Sequence, residues 1–305
     1  MFYFVWYSQS SQKMNVKFFI IVIQLYLIKG EKIMKKKLLL ALLGATMVTS
    51  AFSGDWSTIK IGTEGAYPPW NGTNAAGELE GAEIDLAMDL CERMNATCIL
   101  VAQDWDGIIP ALQNGKYDAI IAGMSITSER LEVIDFSQGY ATEPATFSTQ
   151  SSSALASTGT SGPLNLDLAS SAEGLAALKS LLDGAVIGVQ GSTTHENFVR
   201  QELGDSVTIK TYDTQQNLEL DLLAGRLNAA LSDSGSMEEF MESNPGLAFF
   251  GPKLGGGQFG PGVGVGLRQS DTDLKAMFNK AIDEARADGT LATHFIKWFG
   301  KDISM

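Results

Sequence analysis

The chain has 305 residues, 45% of them hydrophobic and 19% charged, enough apolar material for one large core or two modest ones. Its 22 Lys and Arg stand against 35 Asp and Glu, a formal net charge of −13, which argues against a nucleic-acid partner. Two cysteines and two histidines supply a four-ligand metal site poorly, so neither a metal nor a cofactor is expected.

In chain order, a secretory signal comes first to attention. Met34-Lys35-Lys36-Lys37 is a basic start, residues 38–48 are apolar, and Ala51-Phe52-Ser53 offers small residues for cleavage before Gly54. The apolar stretch is too short for a membrane span of about 20 residues. Residues 1–33 precede this complete signal, and Lys29-Gly30-Glu31-Lys32 can be encoded by a purine-rich ribosome-binding site. A misassigned start is therefore expected for 1–33, with an N-terminal anchor as the alternative, and a signal peptide for 34–53.

Beyond Gly54 the pattern alternates. Residues 59–63 read as a strand, 65–70 as a turn, 84–94 as a helix, 99–102 as a strand and 105–114 as a helix with Pro110 awkwardly inside it; 119–122 is a further strand. This order implies an α/β fold with a mostly parallel sheet. Cys91 and Cys98 are close in sequence, leaving a disulfide or two buried thiols, and an oxidising compartment favours the disulfide.

The run Ala122-Gly123-Met124-Ser125-Ile126-Thr127-Ser128-Glu129-Arg130 carries an apolar strand into small and hydroxyl residues and ends on a guanidinium. The planar donor fork of Arg matches a carboxylate bidentately. Its bland reading is a capped helix start, with Thr127 or Ser128 as the cap.

Residues 148–162 are rich in Ser, Thr and Gly without apolar periodicity, and a flexible surface loop is expected there. A second αβ series follows: helix 175–182, strand 185–190, helix 192–203, strand 207–212, helix 214–224 and strand 229–231. Gly255 to Gly260 is not followed by Gly-Lys-Ser/Thr, so it reads as a connection and not a phosphate loop. Strand 263–267 and two closing helices end the chain. His195, near a helix start, and His294 read as surface or half-packed residues.

With these elements in order, the chain resembles the extracytoplasmic solute-binding proteins of amino-acid ABC transporters, within the branch for lysine, arginine, ornithine, histidine and opines. The resemblance spans residues 58–302. It rests on Ile61-Gly62-Thr63-Glu64-Gly65-Ala66-Tyr67-Pro68-Pro69-Trp70, Gly81-Ala82-Glu83-Ile84-Asp85-Leu86, Trp105-Asp106-Gly107-Ile108-Ile109-Pro110, Tyr117-Asp118-Ala119-Ile120, Ser125-Ile126-Thr127 through Arg130, Asp135-Phe136-Ser137, Val189-Gln190-Gly191-Ser192-Thr193 and Leu223-Ala224-Gly225-Arg226-Leu227.

The resemblance implies a type II periplasmic binding protein fold, two lobes joined by two hinge crossovers around a ligand cleft. The first lobe would be 54–141 plus 259–305 and the second 142–258. Arg130 would hold the ligand α-carboxylate with Ser125, Thr193 and nearby backbone N–H groups. Asp233 would take the α-ammonium, helped by Gly123 and Ser125. Tyr67 and Trp105 would sandwich the side chain, and Glu64 would face its cationic end. Met124, Gln190 and Ser192 complete the expected lining.

A buried acid at the far end disfavours neutral guests, so a cationic L-amino acid is expected, arginine first. Ala122-Gly123-Met124-Ser125 replaces the Ser-Ser-Leu-Ser of many basic amino-acid binders and leans towards opines. The implied partners are this ligand and an inner-membrane ABC permease, for a monomeric periplasmic protein that is not an enzyme. Two further classes share the scaffold: a prephenate or arogenate dehydratase using Glu64 or Asp233 as proton donor, and a receptor-linked sensor.

Overall fold

The computed structural model describes residues 54–305. The expectations for 1–33 and 34–53 lie outside the described residues.

Strand β1 (Thr58–Thr63) is buried along its C-terminal half. It pairs in parallel with β4 (Thr97–Ala102) and β5 (Ala119–Ile120). Helix α1 (Ala82–Arg93) connects them, turning Leu86, Ala87 and Leu90 inward. Glu83 and Asp85 in its first turn and Arg93 in its last suit the helix dipole. A disulfide joins Cys91 at the end of α1 to Cys98 in β4, with Cα atoms 6.1 Å apart. Two short strands, β2 (Gly72–Thr73) and β3 (Leu79–Glu80), form a separate ribbon.

Helix α2 is shorter than expected, Ile108–Gln113, with Pro110 in its first turn, where a missing N–H is tolerated. Trp105 consequently stays ahead of the helix. The four-residue helix α3 (Ser128–Leu131) is capped by Thr127, whose hydroxyl accepts from the Arg130 N–H at 3.2 Å.

The chain leaves this first sheet through β6 (Asp135–Ala141), crosses at 142–144, and enters β7 (Ala145–Gln150) of a second sheet. The expected loop at 148–162 is instead the end of β7, a 3-10 turn at Ala154–Thr158 and the start of β8 (Thr160–Asn165). Most β8 side chains are exposed, so this edge strand is held by backbone pairing with β12 (Leu247–Gly255) and leaves no apolar pattern to read.

Helix α4 (Ala172–Leu181) leads to β9 (Val186–Gln190), helix α5 (Thr194–Phe198) with a π-helical turn at Val199–Leu203, and β10 (Thr208–Tyr212). Helix α6 (Gln215–Leu223), β11 (Ala229–Asp233), α7 (Ser234–Ser243) and β12 complete the series. The second crossing returns the chain to β13 (Val263–Leu267), and helices α8 (Thr272–Ala287) and α9 (Thr290–Phe299) end it.

The sheets run β4-β1-β5-β13-β6 and β10-β9-β11-β7-β12-β8, so the fold is α/β with two lobes. Each sheet has one strand against the rest: β13 is antiparallel to β5 and β6, and β7 to β11 and β12. These are the strands that arrive directly from a crossing, without an intervening helix to reverse the chain. One core packs Ile59, Ile61, Leu86, Phe278 and Phe295, another Leu112, Tyr117, Ile120 and Ile134. The second lobe gathers Phe147, Ile187, Phe198 and Phe250.

Gly62 in β1 is set by close approach. A Cβ there would lie 2.6 Å from the Tyr117 ring, which is fully buried and donates its hydroxyl to the Ile108 carbonyl. Gly62→Ala is expected to destabilise the protein by about 1–3 kcal/mol. A wild-type midpoint in urea denaturation would show that the ring can move aside.

At the first crossing, the Lys301 ammonium lies 3.1 Å from Glu143 and 2.7 Å from Glu238. Glu143 also accepts from the Gly235 N–H at 2.8 Å, tying the crossing to the start of α7.

Candidate ligand-binding site

Strand ends build the site. Glu64 follows the last residue of β1, Gln190 ends β9 and Asp233 ends β11, the carboxyl edges where open α/β sheets bind ligands. Between the sheets lies a small cavity. Glu64, Tyr67, Trp105, Gly123, Ser125, Arg130, Gln190, Thr193 and Asp233 all line it.

Two expected residues do not. Met124 is buried in the core with Ile120 and Ile134; it lies beyond the end of β5, just after the backbone bends at Gly123 (φ +58°). Ser192 faces the rim: its carbonyl accepts from the Trp105 indole N–H at 3.2 Å, and its hydroxyl donates to Asp106 at 2.8 Å.

Ala122, Thr194 and His195 line the cavity in addition. His195 is 6% exposed, not the surface residue its position suggested. The Thr193 hydroxyl caps α5 by accepting from the Glu196 N–H at 3.2 Å. This cap turns the next residues inward, and the imidazole packs on Phe259. Its Nε2 lies 3.4 Å from Asp233 Oδ1, without hydrogen-bond alignment. A helix-start histidine followed by an acid, as in His195-Glu196, carries no periodic signal for this inward turn.

The cleft is closed by contacts between its walls. The Tyr67 hydroxyl donates to Asp233 at 2.9 Å, and the Gln190 amide donates to Glu64 Oε1 at 2.7 Å. Both join the first sheet's side to the second's. Trp105 and Asp106 reach Ser192 across the rim.

Charge is distributed unevenly. Arg130 donates to the Ser125 carbonyl at 2.9 Å and lies 5.3 Å from the Trp105 ring centroid; neither partner is a carboxylate. Burial pulls its guanidinium down to about 10. Burial pushes the Glu64 carboxyl up to about 7, opposed by the Gln190 hydrogen bond. Desolvation, with Asp233 beside it, also holds the Tyr67 hydroxyl well above its ordinary value. One wall therefore offers a cationic fork and two others offer acids.

Known proteins resemble this chain in sequence and fold. An octopine-binding periplasmic protein of Rhizobium meliloti is 38% identical over 271 residues, covering 81% of this chain and 92% of that protein. The L-arginine-binding protein of Pseudomonas aeruginosa is 35% identical over 276 residues, covering 88% and 98%. Among solved structures, a periplasmic His/Glu/Gln/Arg/opine family-binding protein from Silicibacter pomeroyi, in complex with lysine, aligns with a TM-score of 0.64 at 35% identity, covering 81% of this chain and 99% of that one. These relatives are binding proteins and not enzymes, and this chain is a binding protein too. With residues 59–301 matched, the chain belongs to the bacterial extracellular solute-binding proteins, family 3.

Proposed function

We propose that the protein binds a cationic L-amino acid, arginine first, and presents it to an inner-membrane ABC permease. The observation that carries this reading is Arg130: a half-buried side chain whose guanidinium has no carboxylate hydrogen-bond partner among the described residues, lining one cavity with Asp233 and Glu64. A buried charge is retained when a partner completes it. An α-amino acid supplies the carboxylate for Arg130 and the ammonium for Asp233. A guanidinium or second ammonium then satisfies Glu64, with Tyr67 and Trp105 against the alkyl stem.

The lobes are assigned to 54–141 with 259–305 and to 142–258, rotating about the two crossings as the cleft opens and closes. Residues 34–53 act as the signal peptide that delivers a monomer to the periplasm. Lobe closure presents one surface to the permease, and ligand binding shifts the population towards it.

Opines are the second reading. The 38% identity to an octopine-binding protein favours it, as do Thr194 and His195, which add polar groups beside Asp233 where a substituent on the α-nitrogen would lie.

Titration calorimetry of the mature protein against arginine, ornithine, lysine, histidine, glutamine and octopine tests this reading. One-to-one binding of arginine or octopine well ahead of glutamine is expected. Binding of none of them, or formation of phenylpyruvate or phenylalanine from prephenate or arogenate, would sink it.

A further inference from the structure

Glu83 belongs to the Gly81 to Leu86 motif, yet none of the ligand contacts above uses it. Its side chain is fully buried at the start of α1, and its hydrogen-bond partners among the described residues are all neutral. The Gly123 N–H reaches Oε1 at 2.7 Å and Oε2 at 2.9 Å. The Asn71 amide donates to Oε2 at 2.8 Å, and the Tyr140 hydroxyl donates to Oε1.

The Asn71 orientation is fixed because its Oδ1 accepts from the Gly65 N–H at 2.8 Å. Two obligate donors therefore span both oxygens, which suits an ionised carboxylate. On balance the Glu83 pKa is raised: burial is the largest cause and the negative charge of Asp233 adds to it, while the Tyr140, Gly123 and Asn71 donors oppose it. Glu83 in turn raises Glu64. The three acids share one electrostatic neighbourhood, although Glu83 itself is outside the cavity lining.

Gly123 is where Glu83 meets the cleft. It adopts φ +58°, and its missing Cβ would lie 4.0 Å from the Tyr67 and Trp70 rings. The Glu83 carboxylate holds this peptide by its only donor. A charge buried this way acts over several ångströms with little screening.

We infer that Glu83 is a positioning residue for the ligand's ammonium: it fixes the Gly123 wall of the cleft and adds a buried negative charge to that of Asp233. This rests on the amino-acid reading above. It assigns to a residue behind the wall part of the preference for a ligand with an α-amino group.

The test is calorimetry of the mature protein with arginine and with 5-guanidinopentanoate, which lacks only the α-amino group, in wild type and Glu83→Gln. The preference for arginine is expected to fall roughly tenfold or more in the variant. A merely structural role would weaken both ligands alike, and that outcome, or an unchanged preference, overturns the inference while leaving the amino-acid reading intact. Failure of the wild type to bind arginine overturns both. If Glu83→Gln does not fold, carboxyl carbon-13 NMR of the wild type with arginine decides: an ionised Glu83 at pH 7 is expected, and a protonated one overturns the inference.

Discussion

Arg130→Ala is expected to weaken arginine binding on the order of 100- to 1,000-fold while leaving the ligand-free protein at least as stable as wild type. The first part follows from stranding a ligand carboxylate without its bidentate partner, a loss of about 2–5 kcal/mol for a buried charged pair. The second follows from burial. Arg130 sits with its guanidinium pulled down to about 10, so the folded protein disfavours the charge that the unfolded chain carries freely. Its guanidinium donates to the Ser125 carbonyl and lies over the Trp105 ring, and neither is a charge that its removal would strand. Calorimetry and thermal melts of the same variant check the two parts together. Arg130→Lys retains the charge without the fork and should recover only part of the affinity. Wild-type affinity in Arg130→Ala would move the carboxylate anchor elsewhere.

Glu64→Gln should remove the preference for cationic over neutral side chains, with a pH signature. Burial pushes the carboxyl up to about 7, above its unfolded value. Its contribution to stability is therefore present at low pH and lost as pH rises through about 7. A guanidinium ligand binds the ionised form and draws the pKa down. Arginine affinity is accordingly expected to rise with pH, by up to about tenfold per unit below pH 7, and to level off above it. Glutamine affinity should lack this slope. In Glu64→Gln the arginine profile flattens and its affinity falls towards that of glutamine. Calorimetry between pH 5 and 8 reads both effects, and equal losses for the two ligands would place the cationic group elsewhere.

Much of this site was legible because its residues lie at strand ends in short, recognisable runs. Glu64 and Gln190 stand at the ends of strands that hydrophobic pattern locates, and Arg130 follows a cap that Thr127 announces; Asp233, two residues past the strand expected at 229–231, is assigned through the family resemblance. What escaped was set by three-dimensional closure. Met124 and Ser192 sit within the right runs, but the bend at Gly123 and the turn after Gln190 send them away from the cavity. His195 looks like a helix-surface residue until the Thr193 cap and Phe259 turn it inward. The edge strand β8 left no trace because its side chains face water and its order comes from backbone pairing with β12, residues away in sequence. Strands β6, β7 and β12 were likewise unread, since glycines, hydroxyl residues and a proline interrupt their apolar pattern.

The placement of β13 has a consequence for assembly. It sits inside the first sheet, between β5 and β6, yet it follows the entire second sheet in the chain. A polypeptide emerging from a membrane N-terminus first therefore presents β1, β4, β5 and β6 long before the strand that unites them. The second sheet, built from contiguous sequence, can close on its own, and β4, β1 and β5 can pair with one another, but β6 joins them only when β13 arrives. Such late, long-range pairing is slow, and it leaves the first sheet without its β6 edge until β13 is in place.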